Sequence, residues 1–127
     1  MNAHQRIVSD MSPQEQRQHL SEQVRVAERA WAKAENLASE LEEGRSIIMA
    51  EMKLNLVKNN LAKSMSAAED IARASDQWKG YVRKMHDARH AANMAKADWR
   101  ALDRDYWCAV SGEASERAQM RMAGAGR

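Results

Sequence analysis

At 127 residues the chain is one domain at most, and its single cysteine, Cys108, excludes an internal disulfide and suits a reducing compartment. Its 20 Lys and Arg stand against 18 Asp and Glu, a net charge of +2, well short of a dedicated, strongly basic nucleic-acid binder. Apolar residues make up 44%, yet Phe is absent and much of that share is Ala and Met, so a helix pair built from them encloses no interior in which to desolvate a catalytic group.

Residues 1–11 carry no period and read as a flexible N-terminus. Asn2, His4, Gln5 and Arg6 interrupt any apolar core of a signal peptide, and no segment reaches the ~20 apolar residues needed to span a bilayer. The expected compartment is therefore the cytoplasm, with no membrane partner. Ser12-Pro13-Gln14-Glu15 then gives a sharp helix start. Ser12 serves as N-cap, Pro13 fits the first helical position and Glu15 closes a capping box. Nothing stops that helix before Asn59–Asn60. Gly44 is its one weak point, at a cost of about 0.8–1 kcal/mol relative to Ala. Leu20, Val24, Ala27, Trp31, Ala34, Ala38 and Leu41, then Ile48 and Met52 beyond Arg45, repeat at steps of three and four, the spacing of helices laid along one another.

Ser66-Ala67-Ala68-Glu69 repeats the capping-box pattern and predicts a short helix to about Ala74. Ser75 or Asp76 caps the next helix, whose seam runs Tyr81, Met85, Ala88, Ala92, Ala95, Trp99, Leu102, Tyr106, Ala109. Ser111-Gly112 reads as its stop, followed by a further short helix from Glu113 to Met122 and a flexible Ala123–Arg127 tail. The predicted layout is a helical hairpin domain over 12–111 between the N-terminal segment and a C-terminal segment at 112–127. The fold class is all-α: a long, coiled-coil-like antiparallel two-helix hairpin with a short intervening helix. So thin a pair is expected to associate as a homodimer, two hairpins making a helical bundle.

Charge is uneven along the chain. Residues 1–45 hold six basic and eight acidic residues, whereas residues 46–127 hold fourteen and ten, so a polyanion would meet the second half. Lys79, Arg83, His86, His90, Arg100 and Arg104 fall on one face of the third helix, with Asp87, Asp98 and Asp103 nearby. Such a stripe suits phosphate contacts; the alternative is a solvated helix face. Lys53, Lys58 and Lys63, interleaved with Asn55, Asn59 and Asn60, extend the candidate nucleic-acid surface toward the hairpin tip.

Trp31 and Trp99 lie within the seams, and Trp78 and Tyr81 are placed to pack against the short helix. Trp107 falls one residue off the seam position of Tyr106. A ring there lines an interface, docks a partner or packs under the C-terminal segment. Trp31, Trp99, Tyr106 and Trp107 are the candidate interface residues. His86 and His90 have the spacing of two metal ligands on one helix face, but Asp87 stands where the zinc-protease motif carries Glu, and no third ligand is evident. No phosphate loop, nucleophile elbow or usable Cys–His pair is present, so neither catalysis nor a cofactor is expected.

The stretch Ala67-Ala68-Glu69-Asp70-Ile71-Ala72-Arg73-Ala74-Ser75, with Trp78 and Tyr81 after it and Arg117-Ala118-Gln119-Met120-Arg121 near the end, resembles a family of small helical proteins of tailed phages and prophages. The resemblance runs from about Trp31 to Met122. It implies phage DNA metabolism in a bacterial cytoplasm, among early genes for recombination and replication, and supplies no catalytic residues. Three expectations follow. The first is a non-enzymatic accessory protein that binds DNA or a DNA-bound phage recombination protein. The second is an inhibitor that binds a host defence or nuclease complex, and the third a structural coiled-coil scaffold.

Overall fold

The computed structural model describes residues 10–125, which are all-α: α1 (Pro13–Lys58), α2 (Met65–Ala74) and α3 (Asp76–Ala125). The segment 1–9 and the last two residues lie outside the described residues, and with them most of the expected flexible N-terminus. Contacts divide the chain into two units, residues 1–31 with 95–127, and residues 32–94.

Local chemistry sets most helix ends. At the start of α1, the Glu15 backbone N–H donates to Ser12 Oγ (3.2 Å) and the Ser12 N–H donates back to the Glu15 carboxylate (3.4 Å), the expected capping box. At its other end Asn60 takes a left-handed φ of 59°, while Asn60 N–H reaches the Val57 carbonyl (3.1 Å) and Leu61 N–H the Leu56 carbonyl (2.9 Å). This paired bonding is a Schellman ending with Asn in place of the usual Gly, and it satisfies carbonyls that α1 would otherwise leave open. One residue, Ser75, both closes α2 and opens α3. Its hydroxyl donates to the Ala72 carbonyl (2.6 Å) and accepts from the Trp78 N–H (3.2 Å).

Two expectations are corrected. The cap of α2 is Ser64, whose Oγ accepts from the Ala67 N–H (3.1 Å), not Ser66. Glu69, which the second capping box required, is instead drawn to Arg73 (3.2 Å) and Lys53 (4.0 Å). Likewise α3 does not stop at Ser111-Gly112 but continues as one helix to Ala125. A glycine stop needs a left-handed residue, and no described glycine has positive φ, so Gly112 carries only the modest propensity penalty of a helix interior.

Within the 32–94 unit, α1 and α3 run antiparallel, and all the buried side chains of the described residues lie here. Ala38, Ala88 and Ala92 form one cluster, with Ala34 and Leu41 against it. Small side chains at facing positions let the two backbones approach closely. Met49, Ala72 and Trp78 form the other cluster, in which the Trp78 ring lies parallel to Tyr81 at 5.8 Å. Trp78 thus packs on the short helix as its position implied. The Tyr81 hydroxyl donates to the Leu41 carbonyl, and a Cβ at Gly44 would lie 3.2 Å from that hydroxyl oxygen. Gly44 is therefore the space that admits Tyr81. Arg89 clamps the pair, reaching Glu35 (2.6 Å) and both Glu42 oxygens (2.6 and 3.1 Å).

The unit of residues 10–31 and 95–125 is also an antiparallel helix pair. It has no buried residue among those described and rests on half-buried contacts. Trp31 and Trp99 stack at 5.0 Å and 24°, Lys96 lies 5.5 Å over the Trp31 ring, and Arg17 pairs with Glu113 at 2.6 Å. No helix of the described residues is long and apolar enough to cross a membrane.

Candidate nucleic-acid interface

Six basic residues of α3 fall on one face by helical periodicity, and each of the six is exposed. In the 32–94 unit these are Lys79, Arg83, His86 and His90; in the other unit, Arg100 and Arg104. None has an ion-pair partner among the described residues. That distinguishes them from Arg89, whose guanidinium is committed to two carboxylates and protonated more firmly than usual by those hydrogen bonds. The Arg89 hydrogen bond correspondingly holds the Glu42 carboxyl below its ordinary value of 4.5. Arg89 belongs to the structure and not to the cationic face. Sequence periodicity could not find this role, since Glu35 and Glu42 lie 54 and 47 positions away.

At the hairpin tip Lys58 and Lys63 are exposed, while Lys53 is partly covered and 4.0 Å from Glu69. The three lysines are thus unequal: two are free for an anion, and one is already near a carboxylate.

Of the aromatic candidates, Trp31 and Trp99 spend their ring faces on each other, and their indole N–H groups find no acceptor among the described residues. Tyr106 is half buried, whereas Trp107 is 57% exposed and meets the Tyr106 ring edge-on, with centroids 5.3 Å apart at 71°. Arg104 and Arg100 precede Trp107 by three and seven residues, spacings that place all three on one side of α3. The same unit holds an open groove of about 700 Å³ with an apolar lining that includes Val26, Ala27, Ala30, Ala95 and Leu102.

Several large apolar side chains remain in solvent in the 32–94 unit. Ile47 and Leu54 are 60% and 59% exposed, seven residues apart on α1. They lie away from Ile48, Met49, Met52 and Leu56, which pack inward. Sequence reading followed the inward seam and missed this outward pair, although its heptad spacing was present. Among the described residues no three His, Cys, Asp or Glu side chains gather around a point where a metal ion would sit, and His86 and His90 are both exposed. Comparison of the chain with protein-family models, with curated proteins and with solved structures finds no match in any of the three.

Proposed function

We propose that the protein is a non-enzymatic accessory factor that engages DNA, or a DNA-bound protein, in phage recombination or replication within a bacterial cytoplasm. The observation that carries this reading is that each unit presents solvent-facing cations with no ion-pair partner among the described residues: Lys58, Lys63, Lys79 and Arg83 in the 32–94 unit, Arg100 and Arg104 in the other. Cations with no internal carboxylate remain available to displace counterions from a phosphate backbone. The phage setting rests on the sequence resemblance over residues 31–122.

The same reading includes a homodimer. Its support is the thinness of the core. Among the described residues, the eight buried ones include four fully covered alanines of the helix pair and α2, no large side chain is completely buried, and Ile47 and Leu54 stand in solvent. A second copy would supply the missing cover.

The test is fluorescence-anisotropy binding to a labelled oligonucleotide across a salt series, wild type against the Arg83→Ala, Arg100→Ala, Arg104→Ala triple variant. Loss of three phosphate contacts lowers affinity and reduces the slope of log K against log salt by about 2–3. Identical slopes refute the assignment. A second reading, inhibition of a host protein complex, is favoured by the exposed Ile47 and Leu54. It predicts a stoichiometric host partner that survives nuclease treatment and is lost on Leu54→Lys.

A further inference from the structure

We infer that the Trp107 region of α3 is a base-stacking site for single-stranded nucleic acid, with Arg100 and Arg104 holding the flanking phosphates. This inference rests on the DNA-engaging reading and specifies its ligand. Three observations within one unit point to it.

The first is exposure of an expensive ring. Trp107 is the most exposed of the four tryptophans, at 57%, in a chain that buries Trp78 to 6% and half-buries Trp31 and Trp99. The second is orientation. The Tyr106 ring stands at 71° to the indole with centroids 5.3 Å apart, a contact that restrains the indole while more than half of its surface stays exposed. The third is the company the ring keeps. Arg104 lies one turn before Trp107 and Arg100 two turns before, all within one narrow sector of the helix, and neither guanidinium has a carboxylate partner among the described residues. Two acids lie between Arg100 and Trp107: Asp103, partly covered, and Asp105, exposed but on the opposite side of the helix from the ring.

Each element has a defined role. An exposed indole offers a flat π surface that any unpaired base can cover, while the bases of a duplex are already stacked on one another. Both guanidinium groups lie on the N-terminal side of the ring, where they bind successive phosphates of a strand running along α3, and a guanidinium strengthens the stack where it overlies a ring. The site therefore favours strands whose bases are free, with little dependence on sequence. Lys96 shares this side of α3 but is held over Trp31, which leaves Arg100 and Arg104 as the cations available to a strand.

The experiment compares three labelled ligands at one salt concentration: a single strand, the same sequence as a duplex, and an abasic strand with the same number of phosphates. The expected result is tighter binding of the single strand than of the abasic strand, by roughly five- to hundredfold. Trp107→Ala removes that difference and leaves abasic binding unchanged, and Trp107→Phe retains much of it. Because Trp107 is exposed, these variants keep the wild-type helical circular dichroism. Binding of all three ligands alike, or preference for the duplex, overturns the inference while the DNA reading stands. Absence of binding to every ligand overturns both. Unchanged DNA binding by Trp107→Ala together with loss of a protein complex overturns the inference in favour of a protein-docking role for the ring.

Discussion

Replacing Gly44 with Ala tests the close approach of the Tyr81 hydroxyl to α1. In an isolated helix the change is favourable by about 0.8–1 kcal/mol, because Ala loses less backbone freedom on folding than Gly. Here the added methyl carbon meets Tyr81 Oη at 3.2 Å, tighter than a comfortable van der Waals contact. The hydroxyl has to move by a few tenths of an ångström, and it is the group that donates to the Leu41 carbonyl. Weakening or losing that bond costs about 0.5–1.5 kcal/mol, which offsets the propensity gain, so Gly44→Ala alone is close to neutral. Tyr81→Phe removes both the hydrogen bond and the obstruction. In that background Gly44→Ala recovers its full gain and stabilises by about 0.8–1 kcal/mol. The coupling between the two sites is therefore about 1 kcal/mol, well above the scatter expected of independent positions. Urea denaturation followed by circular dichroism at 222 nm, with all four proteins at one concentration, measures it. Equal stabilisation by Gly44→Ala in both backgrounds refutes the account of why this helix carries a glycine.

Two further predictions concern the same unit. Glu42 is held below its ordinary value of 4.5 by Arg89, so the ion pair contributes stability above that range and loses it as pH falls through it. Arg89, pushed upward by the same contacts, stays charged throughout and adds no step of its own. Arg89→Met is thus less stable than wild type at neutral pH, and the gap between their urea midpoints narrows as the pH falls below the ordinary carboxylate value of 4.5; a constant gap contradicts the clamp. At the end of α1, Asn60→Ala places a methyl group in a left-handed conformation and lowers stability by about 1 kcal/mol, whereas Asn60→Gly leaves it equal or higher. The denaturation midpoints of the two variants decide the matter, and a neutral Asn60→Ala would show that the turn is not held as described.

What could be read in the sequence was what local chemistry determines. Ser12 and Glu15 are three residues apart, and their bonds need nothing from the rest of the chain. Asn60 likewise ends its helix with groups no farther than Leu56. The misplaced cap of α2 shows the limit of pattern matching: Ser66 and Glu69 have the right spacing, but Glu69 has a stronger use with Arg73 and Lys53. Arg89 was invisible as a clamp because its partners are set by how the two helices pair. The basic face was legible because exposure on α3 follows from helical spacing. A solvated face and a phosphate-contacting one share the same helical spacing, so the sequence did not distinguish between them.

The alanines at 38, 88 and 92 have a consequence for how this chain avoids mispairing. Glu28, Glu35 and Glu42 recur every seven residues, so if α3 slid by one heptad Arg89 would leave Glu42 and meet Glu28 while keeping Glu35. The Arg89 clamp alone would accept the wrong alignment, although Arg17 would lose Glu113. The same slide would bring Tyr81 and Met85 to the places of Ala88 and Ala92, against Ala38, where neither alanine at 38 nor at 92 has any exposed surface. Alignment is enforced by volume that is missing: a narrow slot that only the smallest side chains can occupy, beside a clamp whose charges would tolerate the error.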